Sequence, residues 1–258
     1  MEKILLAMEG NRQNTYTIDF ACYLAKLTGS RLIGAFLEGE PGVHVVEAEE
    51  GDTVAGQVNR FREACVCREV PARVHRDRGT PLGEILLESR FSDLIVVDPE
   101  ASFKRIEREF PGKWVREVLV AAECPVVVSP YSFNGMDKVI FAYNGTASSV
   151  FAIKQFTYLF PEFRSKKAVV VSVRNGEEAA LEEQYKIKEW FSAHYEDVEY
   201  VVLAGEASDE LFFYLLDKKD AIVVLGAYGR GMLSRFFKPS QAGILLKTVN
   251  LPIFIAHR

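Results

Sequence analysis

The chain has 258 residues, 48% of them hydrophobic and 26% charged, with 18 Gly and 10 Pro, a composition that excludes disorder and collagen-like repeats and suits one large or two ordinary globular domains. Its 31 Lys and Arg against 36 Asp and Glu leave a net charge of -5, which removes any general attraction to nucleic acid or to an anionic membrane surface. The opening MEKILLAME carries only a short apolar run, too short for a signal peptide or a membrane span, so a cytoplasmic location and no membrane partner are expected.

In chain order, continuous apolar runs predict strands over 3–9, 31–38, 72–77, 93–98 and 125–129. Helices are expected between them, as in TYTIDFACYLAKLTG, where Ile18, Ala21, Cys22, Leu24 and Ala25 recur at helical spacing. KRIEREFPGK (104–113) reads as a surface loop, and VEAEEGD (46–52) as solvated charge. The turn residues of SFNGMD close this half at about 133. A second set of strands is predicted over 138–143, 167–173, 198–204, 221–225 and 252–256, with helices in SSVFAIKQFTYLF and EEAALEEQYKIKEWFSAHYE. Trp190, Phe191 and Tyr195, and Phe212, Phe213 and Tyr214, are read as core aromatics.

The halves are copies of one unit. KILLAMEGN (3–11) returns as KVIFAYNGT (138–146), SDLIVVD (92–98) as DAIVVLG (220–226), and CPVVVSP (124–130) as LPIFIAH (251–257). Gly79, ahead of a helical run, returns as Gly205. Domains over 1–133 and 137–258 follow. Strands apolar on both faces, each leading into a helix, imply a parallel sheet covered on two sides, hence two tandem doubly wound α/β domains of five strands. Ligands of such sheets bind outside the carboxyl ends of the strands, at the switch point between strand 1 and strand 4.

In the second half those strand ends are Asn144-Gly145 and GAYGRGMLSRFFKPS (226–240). Gly226 and Gly229 suit a tight turn, while Ser240 reads as a helix cap, and backbone N–H groups converging there make an anion cradle, with Arg230 and Lys238 adding positive charge. The same residues also fit an ordinary strand-to-helix connection.

The spacing G-x-x-G, nine residues, then Pro239-Ser240, resembles the universal stress protein family, whose ATP-binding members have Gly-Ser or Gly-Thr at the last two positions. The resemblance extends to Glu9-Gly10 and Asn144-Gly145 ending strand 1, to RGTPLGEIL and SDLIVV, and to the Cys-Pro-Val before the last strand of the first half. It implies α/β sandwiches of the adenine nucleotide alpha hydrolase-like type that pair within the chain as a pseudo-dimer, through their last strands. It leaves open a further homodimer and names no protein partner. It also implies a binding or regulatory role in stress response and a site for ATP or another adenine nucleotide, with Mg²⁺. The phosphate cradle corresponds to Gly226, Gly229, Arg230, Ser240 and Gln241, and the ribose and adenine contacts to Asn144, Gly145 and Val173.

This chain departs from that pattern. Pro239 lacks an N–H, which removes a charge-assisted bond of roughly 1.5–3 kcal/mol, and Asn144 replaces the usual aspartate. In the first half the loop reads DPEASF from Asp98, so Asp98 and Glu100 face the phosphate position and no nucleotide is expected there.

Three functional classes stay open: a nucleotide-binding regulatory module, a nucleotide-processing enzyme of the same fold, and a scaffold with both sites dead. The sequence holds no G-x-x-x-x-G-K-[ST] and identifies no catalytic set. His44, His75, His194 and His257 are dispersed and Cys22, Cys65, Cys67 and Cys124 complete no zinc pattern, so no metal site is expected and the cysteines read as reduced thiols, with Cys22 and Cys124 filling the core.

Overall fold

Each apolar run pairs with its neighbours in parallel. The structure is a computed structural model, described here for residues 1–9, 15–37, 54–77, 79–103, 111–174, 181–226 and 249–256. The chain divides into two units, Met1–Ser132 and Phe133–Arg258.

The first unit runs β1 (Lys3–Glu9), α1 (Thr15–Thr28), β2 (Arg31–Leu37), α2 (Val54–Cys67), β3 (Ala72–Asp77), α3 (Pro81–Ser89), β4 (Leu94–Val97), α4 (Lys113–Ala121) and β5 (Val126–Val128). Its strands lie in the order β3-β2-β1-β4-β5, every pair parallel. The second unit repeats the plan with β6 (Lys138–Ala142), α5 (Ala147–Leu159), β7 (Lys167–Arg174), α6 (Leu181–Ser192), β8 (Val198–Ala204), α7 (Ala207–Leu215), β9 (Ala221–Gly226) and β10 (Ile253–Ala256). Its order is β8-β7-β6-β9-β10, again all parallel. The strands expected from the sequence start and stop within one residue of those observed.

The inner strands are buried on both faces, as strands covered by helices on two sides are, whereas β3 and β8 stay partly exposed. In β2, a Cβ on Gly34 would come within 3.0 Å of the Phe61 ring on α2. The next residue, Ala35, is in register with His75 of β3, whose Nδ1 reaches Glu88 of α3 at 2.9 Å. Successive strand residues point to opposite faces, so α2 and α3 cover opposite sides of one sheet.

Side-chain caps start several helices. Thr80 accepts from the Gly83 N–H ahead of Pro81 at the first position of α3. Thr146 accepts from the Ser149 N–H at α5, and Glu206 from the Ser208 and Asp209 N–H groups at α7. The repeated glycines share one local contact: a Cβ on Gly79 would strike the Glu84 side chain, and one on Gly205 the side chain of Glu210.

The second unit's core is aromatic. Phe156 contacts the rings of Phe141, Phe160, Phe163 and Phe254, and Phe191 and Tyr195 pack on Phe141. The Tyr195 hydroxyl is paired with Thr157 Oγ1 at 2.8 Å, and burial pushes its pKa well up. One aromatic group departs from the expected core: α7 buries Leu211 and Leu215, leaving Phe213 63% exposed. Three consecutive aromatics cannot all face inward at 100° per residue.

Candidate functional site

Strands β6 and β9 lie side by side, with Phe141 opposite Val224, so the carboxyl ends of the second unit's strands 1 and 4 are neighbours. This is the switch point expected for a ligand. Beyond β6 the chain turns sharply. The Asn144 side chain, exposed at the surface, accepts through Oδ1 from the Thr146 N–H at 3.2 Å and from Thr146 Oγ1 at 2.7 Å. Gly145 has φ +76°, a left-handed conformation that is cheap only for residues such as Gly. Thr146 then caps α5, and Ser149 Oγ returns a bond to the Thr146 carbonyl at 2.8 Å. This Asn-Gly-Thr sequence therefore builds the start of a helix directly off a strand end.

Gly226 meets this helix start from the other strand. A Cβ at Gly226 would lie 2.6 Å from the Ser148 carbonyl carbon and oxygen and from the Ser149 nitrogen, so β9 ends hard against the first turn of α5. The lack of a side chain permits that approach. Val173 lies on β7, half-buried and in register with Leu203. The Tyr143 N–H donates to the Val171 carbonyl at 2.8 Å, which carries the β6–β7 pairing one residue past β6 and leaves Val173 on the same rim as Asn144. Asn144, Gly145, Val173 and Gly226 thus share the carboxyl edge of one sheet. Gly229, Arg230, Ser240 and Gln241 lie outside the described residues.

The described part of the crevice has two features. It has an exposed amide group at the strand 1 end, and it has backbone brought close by a glycine, with no carboxylate at the β9 end. The Asn144 amide nitrogen is a donor, while its oxygen already serves the turn. Among the described residues no group of three or more His, Cys, Asp or Glu is placed to hold a metal ion.

The first unit builds the same place differently. β1 and β4 are neighbours, Leu6 opposite Val96, and the residue after β4 is Asp98, fully buried. Its Oδ1 accepts from the Glu100 N–H at 2.8 Å and its carbonyl from the Ala101 N–H at 3.1 Å, so the aspartate closes a tight turn where the second unit has Gly226. Glu100 Oε1 accepts from the Tyr131 hydroxyl at 3.1 Å, and the Tyr131 ring packs 5.8 Å from that of Tyr16. Burial first, and then the Glu100 carboxylate, push the Tyr131 phenol well up, so it stays a donor. Behind it the Thr17 and Ser129 hydroxyls pair at 2.9 Å out of contact with water. The carboxylates of Asp98 and Glu100 at this strand end disfavour a phosphate. Lys113, in the first turn of α4, stands 3.5 Å from Glu117 one turn on, both half in solvent.

The strand ends are legible in the sequence, and the long-range pairs are not. Thr17–Ser129, Tyr131–Glu100 and the Lys3–Glu88–His75 cluster join residues far apart in the chain, and no local pattern announces them. Cys22 is buried as expected, but so is Cys65, its neighbour in space, whereas Cys124 is only half-buried and Cys67 is exposed.

No protein-family model matches the chain, and no curated protein sequence matches it significantly. Solved structures do match. A universal stress protein from Archaeoglobus fulgidus DSM 4304 is similar at a TM-score of 0.75 and 15% identity, covering 99% of this chain and 96% of its own. A functionally unknown protein, PA1789 from Pseudomonas aeruginosa PAO1, is similar at a TM-score of 0.62 and 12% identity, covering 100% of this chain and 92% of its own. The chain therefore has, over its full length, the tandem α/β fold found in a universal stress protein.

Proposed function

We propose that the chain is a tandem universal stress protein, with domains over 1–133 and 137–258, acting in the cytoplasm as a binding or regulatory module of the stress response. The second domain takes an adenine nucleotide. The first is a degenerate partner that completes an intrachain pseudo-dimer. The observation that carries this reading is the seating of Gly226 against the first turn of α5, 2.6 Å from backbone for any added Cβ. It puts the end of β9, the Asn144-Gly145 turn and a helix start at one point, where an anion is favoured. The burial of Asp98 at the equivalent point of the first unit supports a single site per chain.

In this reading the base and ribose lie against Asn144, Gly145 and Val173, and the phosphates against Gly226, Gly229, Arg230, Ser240 and Gln241, with Mg²⁺ accompanying a triphosphate. Calorimetric titration of ATP, ADP and AMP with Mg²⁺ into the full chain tests it. One site per chain at micromolar to sub-millimolar affinity, weakened by Ser240→Ala, is the expected result.

One observation favours a second reading. Both bonds accepted by Asn144 Oδ1 come from Thr146, so that oxygen is fully employed in starting α5. A scaffold that holds this turn for its fold alone gives no heat of binding and a melting temperature that nucleotides leave unshifted.

A further inference from the structure

We propose that Cys22 and Cys65 form a redox-active dithiol, which a peroxide closes into an intramolecular disulfide between α1 and α2. Their Sγ atoms stand 3.7 Å apart, and both side chains are buried, Cys22 at 0% and Cys65 at 2% exposure. A disulfide needs about 2.05 Å between the sulfurs, so the gap to close is about 1.7 Å, within reach of small side-chain rotations shared by two residues. Helices packed at about 8–10 Å, with Cα radii near 2.3 Å, bring facing Cα atoms to roughly 3.4–5.4 Å, which overlaps the range that a disulfide spans. The remaining cysteines differ in kind: Cys67 is exposed at the end of α2, and Cys124 is half-buried ahead of β5.

The seam around the pair holds it in register. Asp19, three residues before Cys22, accepts from Arg68 Nη2 at 2.7 Å, and Lys26 reaches Glu69 at 3.4 Å. Both pairs tie α1 to the end of α2. The Asp19–Arg68 pair is little more than one-third exposed. The two thiols share one S–H···S contact in which either sulfur can donate; with Cys65 as the donor, the bond lowers the Cys22 pKa. Burial opposes this, while the Arg68 guanidinium assists and Asp19 opposes. The Cys65 thiol is pushed up correspondingly. With Cys65 as the donor, Cys22 is the sulfur that attacks.

The chemistry balances with a peroxide as oxidant. The Cys22 thiolate attacks one peroxide oxygen, the O–O bond breaks, and the departing hydroxide takes a proton to leave as water, giving a sulfenic acid on Cys22. The Cys65 sulfur then attacks the Cys22 sulfur. The S–S bond forms as the S–O bond breaks, and the displaced hydroxide takes the Cys65 proton. Two thiols lose two electrons and two protons, and one hydrogen peroxide becomes two waters. The disulfide closes a loop of more than 40 residues and raises the melting midpoint by roughly 5–10 °C.

The test uses the full chain with Cys67→Ser, which removes the exposed thiol and leaves three of the four cysteines. After reduction, removal of reductant and exposure to hydrogen peroxide, thiols are counted under denaturing conditions and unreduced peptides are mapped by mass spectrometry. The expected result is a fall from three thiols to one, a cross-linked peptide joining residues 22 and 65, and a rise in melting midpoint that dithiothreitol reverses. Cys65→Ala in the same background abolishes the cross-link and the rise. Three thiols after treatment, a cross-link through Cys124 or between chains, or a sulfenic or sulfinic acid on Cys22 with no link to Cys65 each overturns the proposal. Should the Cys65→Ala chain fail to fold, the peptide map of the Cys67→Ser chain decides alone.

Discussion

Gly226 and Ser148 approach so closely that a single methyl group at Gly226 would lie 2.6 Å from the Ser148 carbonyl carbon. Backbone cannot yield as a flexible side chain can. Gly226→Ala is therefore expected to destabilise the second unit by about 1–3 kcal/mol, seen as a lower urea midpoint at unchanged slope. A neutral result would mean that α5 shifts freely away from β9.

Asn144 offers a cleaner probe of the crevice, because its replacement can keep the turn. Asn144→Asp retains an acceptor for the Thr146 N–H and Oγ1 and adds a negative charge near the start of α5, which the helix dipole favours by about 0.3–1 kcal/mol. The melting temperature should hold or rise slightly. The added charge also strengthens a bond to a ribose hydroxyl by about 1 kcal/mol, which is roughly fivefold in nucleotide affinity. Calorimetry on the variant checks this, and a loss of affinity would place the ribose elsewhere. Asn144→Ala loses the turn and should cost about 0.5–2 kcal/mol in stability.

Phe156 and Phe213 are opposites. Phe156 is wholly buried and touches four other rings, so Phe156→Ala should cost about 3–5 kcal/mol. Phe213 is 63% exposed, and Phe213→Ala should stay within about 0.5 kcal/mol of the parent. Paired denaturation curves separate the two.

Glu88 joins Lys3 Nζ at 2.8 Å and His75 Nδ1 at 2.9 Å. Burial works against its charge, but the bonds from Lys3 and His75 outweigh it and hold the carboxyl below its ordinary value of 4.5. A depressed carboxylate pKa contributes stability that is present above the unfolded value and is lost as pH falls through the folded one. Glu88→Gln should therefore cost about 1–2 kcal/mol at pH 7, and the difference from the parent should shrink below about pH 4.5. Melting curves at pH 7 and pH 3.5 decide; a gap that persists in acid would assign the loss to packing.

The strands, the internal repeat and the α/β class were determined by the sequence itself. A β-strand buried on both faces must be apolar at every position, and β1, β4 and β9 announce themselves for that reason. The turn at Asn144-Gly145-Thr146 was equally legible, since its chemistry is local. Tertiary structure alone decided which residues meet across the fold: Gly226 with Ser148, Thr17 with Ser129, Cys22 with Cys65. It also decided which of three adjacent aromatics on α7 is left in solvent. These outcomes depend on helix rotation and on contacts between distant segments, which a period of 3.6 or 2 does not encode. Hence Gly226, which reads in the sequence as a phosphate-loop glycine, is required in the fold first by the close passage of a helix.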